Sequence, residues 1–213
     1  MADIFQEVDE EVRKEKAAEW WRRYGAYLIG VAVALVLAIG GYKAWQAYDE
    51  SQRGEASKAF TEARMLADSD DQDAALAAYA ALAAEGESGY GLLASFEEAR
   101  LLAEQGNVAE AIAIWERIAA SPDVGKGFKG IATLLSVLHQ LDTADAATLR
   151  ARLDPLAATG PFRAGATELL AAVELREGNP SEARLLYGQI ADDVTAPQGL
   201  RARAAEMLAA LAE

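Results

Sequence analysis

The sequence predicts an all-α protein: a single N-terminal transmembrane helix followed by a helical-repeat solenoid. Three observations carry this. The 19 residues from Tyr24 to Tyr42 hold no charge. Beyond them there is no sustained alternation of β-branched or aromatic residues with polar ones, and alanine, leucine, glutamate and arginine, all good helix formers, dominate. Two separate stretches then recur at one spacing, 36 residues.

Taken in order, residues 1–23 form a tail of mixed charge. Asp3, Glu7, Asp9, Glu10, Glu11, Glu15 and Glu19 interleave with Arg13, Lys14, Lys16, Arg22 and Arg23. Ile4, Phe5, Val8 and Val12 fall on one side of a short amphipathic helix, which either docks a cytoplasmic partner, lies at the interface or frays. The mixed charge argues against strong lipid binding.

Residues 24–42 are the expected anchor. Nineteen residues rising 1.5 Å each cover about 28 Å, close to the hydrocarbon thickness of a bilayer. Leu28, Ile29, Val31, Val33, Leu35, Val36, Leu37 and Ile39 together contribute roughly −2 to −5 kcal/mol to insertion. Trp20, Trp21, Tyr24 and Tyr27 precede the run and Tyr42, Trp45 and Tyr48 follow it, an aromatic belt at each edge. A cleaved signal is the rival reading, with Ala38-Ile39-Gly40 as its small-residue site. The run starts late, however, behind an acid-rich tail unlike a basic n-region. An uncleaved anchor follows. Five basic residues before the span against Lys43 and Arg53 after it place the tail in the cytoplasm and the rest outside. Within the span Ala26, Gly30, Ala34 and Ala38 recur every four residues, a small-residue stripe that lets a second helix approach closely, although alanine is common throughout the chain.

Residues 43–213 suffice for one well-cored domain. From Ala44 onward 27 acidic residues face 14 basic ones, a net charge of −13. This argues against phosphate neutralisation, hence against nucleic acid, and against contact with anionic lipid. The chain has no cysteine, which removes disulfides and thiolate chemistry.

The repeat lies here. "AIAIWERIA" (111–119) aligns with "ALAAYAALA" (75–83) and with "ARLLYGQIA" (183–191), so that Ala75, Ala111 and Ala183 are equivalent, as are Tyr79, Trp115 and Tyr187. "FTEARMLAD" (60–68) aligns with "FEEARLLAE" (96–104) at the same shift. Gly106-Asn107 and Gly178-Asn179 mark the turns: glycine ends one helix, and asparagine is expected to cap the next in a capping box with Glu110 or Glu182. Pro180 then opens a helix where a missing N–H costs nothing. A small residue beside a large ring lets paired helices close up.

This pattern resembles the tetratricopeptide repeat: a glycine turn, an alanine opening the second helix, an aromatic four residues later, and a proline near the unit's end, here Pro122. The spacing of 36 is longer than that family's, and the first helices lack its Trp and Gly-Tyr positions. Residues 127–160 fit poorly: helices are expected near 128–141 and 145–158, but Asp142-Thr143 stands where the glycine turn belongs. The expected units are 53–88, 89–124, 125–160 and 161–196, closed by a helix over 198–212. The resemblance implies a concave partner-binding face lined by the first helix of each unit. That places Phe60 with Arg64, and Phe96 with Arg100, in the groove, where an aromatic and a guanidinium can hold an extended polypeptide. The competing reading has the phenylalanines packing between helices and the arginines pairing with nearby acids.

Other motifs carry less. "GKGFKG" (125–130) has the spacing of a dinucleotide loop but no preceding strand, and reads as an inter-repeat turn. "DSDDQD" (68–73) lacks the glycine and distant glutamate of a calcium loop and reads as a solvated turn with helix-capping acids. His139 is the only histidine, so a His/Cys metal site cannot be assembled from one chain, and no nucleophile elbow accompanies it. No enzyme and no cofactor are expected.

The whole layout, an acidic-basic tail, one span ending in "GGYKAWQAY" and an alanine-rich repeat domain, resembles the bacterial YfgM-type family of ancillary Sec translocon subunits. Gly41, Tyr42, Lys43 and Trp45 are the local cue. The resemblance implies a single-pass inner-membrane protein with a periplasmic domain. Its partners would be the SecYEG channel, a PpiD-type periplasmic chaperone and exported polypeptides. Two alternatives stay open: an assembly factor presenting one exported client, as in cytochrome c maturation, and a structural accessory subunit of a large membrane complex.

Overall fold

The computed structural model describes residues 3–69, 71–86 and 89–212, with side chains from residue 18 onward except at 28 and 32. The chain divides into two compact units, Met1–Gly54 and Glu55–Glu213. Tail, span and the first repeat helix, read separately in the sequence, belong to one helix, α1 (Asp3–Asp68). No proline occurs before residue 122, and the glycines at 40, 41 and 54 do not interrupt the helix.

In the first unit the described side chains between Ile29 and Ile39 are exposed, as are Trp20, Trp21, Tyr24, Tyr42 and Trp45. The rings pair along the helix, Trp20 with Tyr24 at 5.7 Å and Tyr42 with Trp45 at 6.3 Å between centroids. This helix is long and apolar enough to cross a membrane. The tail residues Ile4, Phe5, Val8 and Val12 lie outside the described side chains.

In the second unit the end of α1 is followed by α2 (Gln72–Ala83), α3 (Gly89–Glu104), α4 (Val108–Ala120), α5 (Lys126–Gln140), α6 (Ala146–Ala158), α7 (Arg163–Arg176), α8 (Pro180–Asp192) and α9 (Gln198–Ala210). Each helix from α2 to α9 packs against the next in sequence. The repeat explains the core. Ala75, Ala111 and Ala183 are fully buried, and Tyr79, Trp115 and Tyr187 fill the space four residues on. Leu82, Ile118 and Ile190 complete the buried stripe one turn later.

The turns differ from the expected capping boxes. Gly106 and Gly178 adopt φ of 86° and 78°, which glycine alone enters freely. Each is followed by an asparagine whose backbone N–H reaches back to close the preceding helix. Asn107 donates to Leu102 O at 2.8 Å and Asn179 to Glu174 O at 2.9 Å, while the glycine N–H donates to Ala103 O or Leu175 O. This is a Schellman closure. With the asparagine N–H already used, Glu110 and Glu182 have no donor to complete a box, and neither asparagine side chain caps its helix. Side-chain caps appear instead at the glycine-free turns. Asp71 Oδ1 accepts from Ala74 N at 3.3 Å, and Asp145 Oδ2 from Thr148 N at 3.0 Å.

The third unit departs further. α6 buries Ala146, Leu149 and Leu153 in place of the alanine-ring pattern, and packs chiefly on α7. At the Asp142-Thr143 turn the Arg176 guanidinium, reaching over from α7, donates to the carbonyls of Leu141 and Ala144, the latter at 2.8 Å. A cation thus takes up carbonyls that a glycine turn would otherwise satisfy. The expected loop at "GKGFKG" is mostly helix: Gly125 is the N-cap and the rest forms the first turns of α5. Gly130 is needed for space, since a Cβ there would clash with the Cδ2–Cε2 edge of the Phe162 ring.

Candidate partner-binding groove

Three cavities run in sequence along the second unit. The first is lined by Phe60, Arg64, Ala67 and Asp68 of α1 with Tyr79, Glu97 and Arg100. The second shares Glu97 and Arg100 with it, and adds Phe96, Glu104, Trp115, Leu135 and His139. The third shares Leu135 with the second, and is walled by Leu134, Leu138, Leu141 and Leu169, with the Arg203–Glu168 pair and Tyr187 beside them. Together they form a groove of about 380, 410 and 450 Å³ in succession. It turns from polar at the α1 end to apolar between α5 and α7.

All four groove candidates line it. Phe60 is half-buried, its ring 5.6 Å from those of Tyr79 and Tyr90. Phe96 is half-buried too, with the exposed Phe128 ring 6.1 Å away. Both therefore pack between helices and border open space. The two arginines differ. Arg64 is exposed and makes no ion pair among the described residues. Arg100 is gripped by acids on both sides: Nε donates to Glu97 Oε2 at 2.8 Å, and Nη1 to both Glu104 oxygens at 2.7 Å. These hydrogen bonds hold its pKa above the ordinary value, and Nη2 makes no hydrogen bond among the described residues. Tyr79, beneath the first cavity, has its hydroxyl pKa raised by burial and by Glu97.

The groove also contains residues that the repeat arithmetic does not reach. Adding 36 to Phe96 and Arg100 gives Ala132 and Ser136, both fully buried. In the middle cavity the α5 residues are Leu135 and His139, one turn apart and shifted in phase from α3, and Leu134 and Leu138 of the same helix line the third. The signal was present in the apolar spacing of Phe128, Ile131, Leu135 and Leu138, which share one helical face. The other three of these are exposed, Leu138 at 48%. His139 stacks on Trp115, centroids 4.8 Å apart and planes 24° from parallel, and the buried indole N–H has no acceptor among the described residues. No cluster of potential metal ligands occurs among the described residues.

In the first unit, Ala26, Gly30, Ala34 and Ala38 are all exposed, and a Cβ at Gly30 would meet nothing within 4 Å.

Stacked helix pairs bordering open cavities are the architecture of a protein–protein interaction scaffold. The comparison with known families agrees: the tetratricopeptide repeat-like domain matches residues 18–210, and the chain belongs to that family. No curated protein and no solved structure matches it.

Proposed function

We propose that the protein is a non-enzymatic, membrane-tethered binding module that holds segments of partner polypeptides in this groove. Its partners would be exported proteins emerging from the SecYEG translocon, handled together with a PpiD-type periplasmic chaperone. The observation that carries the reading is the run of three adjoining cavities from Phe60 to Arg203, in a chain whose first helix is long and apolar enough to anchor it. The basic excess before the span supports a cytoplasmic tail (1–23), an anchor (24–42) and a periplasmic repeat domain (43–213). The layout around "GGYKAWQAY" supports the YfgM-type role. Phe60 and Phe96 supply apolar wall, while Arg64 and Arg100 Nη2 donate to carbonyls of the bound chain. Ala26, Gly30, Ala34 and Ala38 pack the span against partner helices.

The test uses the absence of cysteine. Lys58 is exposed on α1, so a Lys58→Cys variant in intact spheroplasts should react with a membrane-impermeant maleimide. A photo-crosslinker at Leu138 should then capture translocon subunits and several exported chains. Protection of the cysteine until lysis would invert the topology and end the translocon reading. Capture of one apoprotein alone would leave the client-specific assembly factor instead.

A further inference from the structure

We propose that the middle of the groove receives a basic side chain, and that its occupant is a partner polypeptide segment with a lysine or arginine beside apolar residues. This deepens the groove reading above and rests on it.

The middle cavity combines an apolar wall with an unbalanced charge. Phe96, Leu135 and the stacked Trp115–His139 pair form the wall. Beside Phe96 on α3 stand Glu97 and Glu104, with Arg100 between them as the guanidinium lining the cavity. Two carboxylates against one cation leave one negative charge at neutral pH. Both carboxylates are accessible, 36% and 52% exposed, and Glu97 Oε1 accepts no hydrogen bond among the described residues. A long basic side chain suits such a place, its methylenes against rings and its head on a carboxylate. A ligand carboxylate here would face two like charges.

The flanking cavities fix the rest of the segment. On one side Leu134, Leu138, Leu141 and Leu169 offer apolar surface, where the Arg203–Glu168 ion pair is already balanced. On the other, Arg64 beside Asp68 leaves no net charge for a second cation. The occupant is therefore a single basic residue next to an apolar run rather than a polybasic tract. At longer range, the 25 acidic and 13 basic residues from Glu55 onward draw a basic segment in, an attraction that salt screens.

The experiment uses the full chain in phosphatidylcholine nanodiscs, whose zwitterionic lipid does not attract cations. Three fluorescein-labelled dodecapeptides are compared by anisotropy: leucine-rich with one central arginine, the same with glutamate for arginine, and the arginine peptide with serines for leucines. The arginine-leucine peptide should bind at least about tenfold more tightly than either control, with the advantage over glutamate shrinking from 50 to 300 mM NaCl. The Glu97→Gln/Glu104→Gln double variant frees Arg100 and should invert the preference, favouring the glutamate peptide, with unchanged circular dichroism. Equal binding of arginine and glutamate peptides, both lost in Leu138→Asp, would overturn the charge selection and leave the groove reading standing. Binding indifferent to Leu138→Asp, or no binding of any peptide, would overturn both.

Discussion

Glu174 and Glu98 are both carboxylates on helices of the second unit, yet their surroundings push them in opposite directions. Glu174 accepts from Arg150 Nε at 2.7 Å and from Asn179 Nδ2 at 2.8 Å, and these bonds, the arginine's first, hold its pKa below the usual carboxylate range. A lowered folded-state pKa contributes stability above the unfolded value, and that stability is lost as pH falls through the folded one. Burial instead raises the pKa of Glu98, only partly offset by Arg117. Its ionised form therefore opposes folding at neutral pH, and the opposition fades as pH falls through its raised value. Glu174→Gln should destabilise the domain by about 1–2 kcal/mol at pH 7, and Glu98→Gln should stabilise it. Urea titrations in detergent at stepped pH check both. The Glu98 difference should vanish at a higher pH than the Glu174 difference. Changes of the same sign would refute the assignment.

At the scale of elements, α5 is where sequence and structure part. The alanine-ring pattern made α2, α4 and α8 legible, because a fully buried position tolerates few residue types and so repeats visibly. First helices are half-exposed and drift, which is why the shift from Phe96 points to the buried Ala132 and misses Leu135 and His139. The turns misled in a subtler way: the asparagine was visible, but the destination of its backbone N–H was not. Nor could the sequence reveal that Gly130 stands under Phe162. The two helical glycines of α5 therefore predict different outcomes. Gly127 has open space around its would-be Cβ, so Gly127→Ala should stabilise by about 0.5–1 kcal/mol through lower unfolded-state entropy. Gly130→Ala must displace a ring held in the turn before α7, and should destabilise by about 1–3 kcal/mol. Thermal unfolding of the two variants separates the effects. A gain at Gly130 would mean that the Phe162 ring moves aside freely.

At the scale of the second unit, stability in an array of stacked helix pairs is a sum of local terms and nearest-neighbour interfaces, so the weakest interface decides how the array comes apart. The apolar core is interrupted at α5. One cluster runs from Leu92 through Trp115 to Ala132, and the next from Val137 through Leu153 to Val173. Between them lies a polar junction. Arg152 of α6 donates to Glu116 Oε1 of α4 at 3.0 Å and to the buried Ser136 Oγ of α5 at 2.9 Å, and Gln140 donates to the same two acceptors. α6 touches α5 only lightly, and this junction adds a polar tie to the packing of Val137 against α6 and α7. Hydrogen bonds to charged groups are worth about 1.5–3 kcal/mol each, and removing one partner leaves a group at the joint less satisfied. Arg152→Ala should therefore weaken one interface rather than every helix. Hydrogen exchange should quicken first in α5 and α6, and α6–α9 should then open at a lower urea concentration than α2–α4. Uniform acceleration from α2 to α9 would show instead that the array unfolds as one cooperative block despite the break in its core.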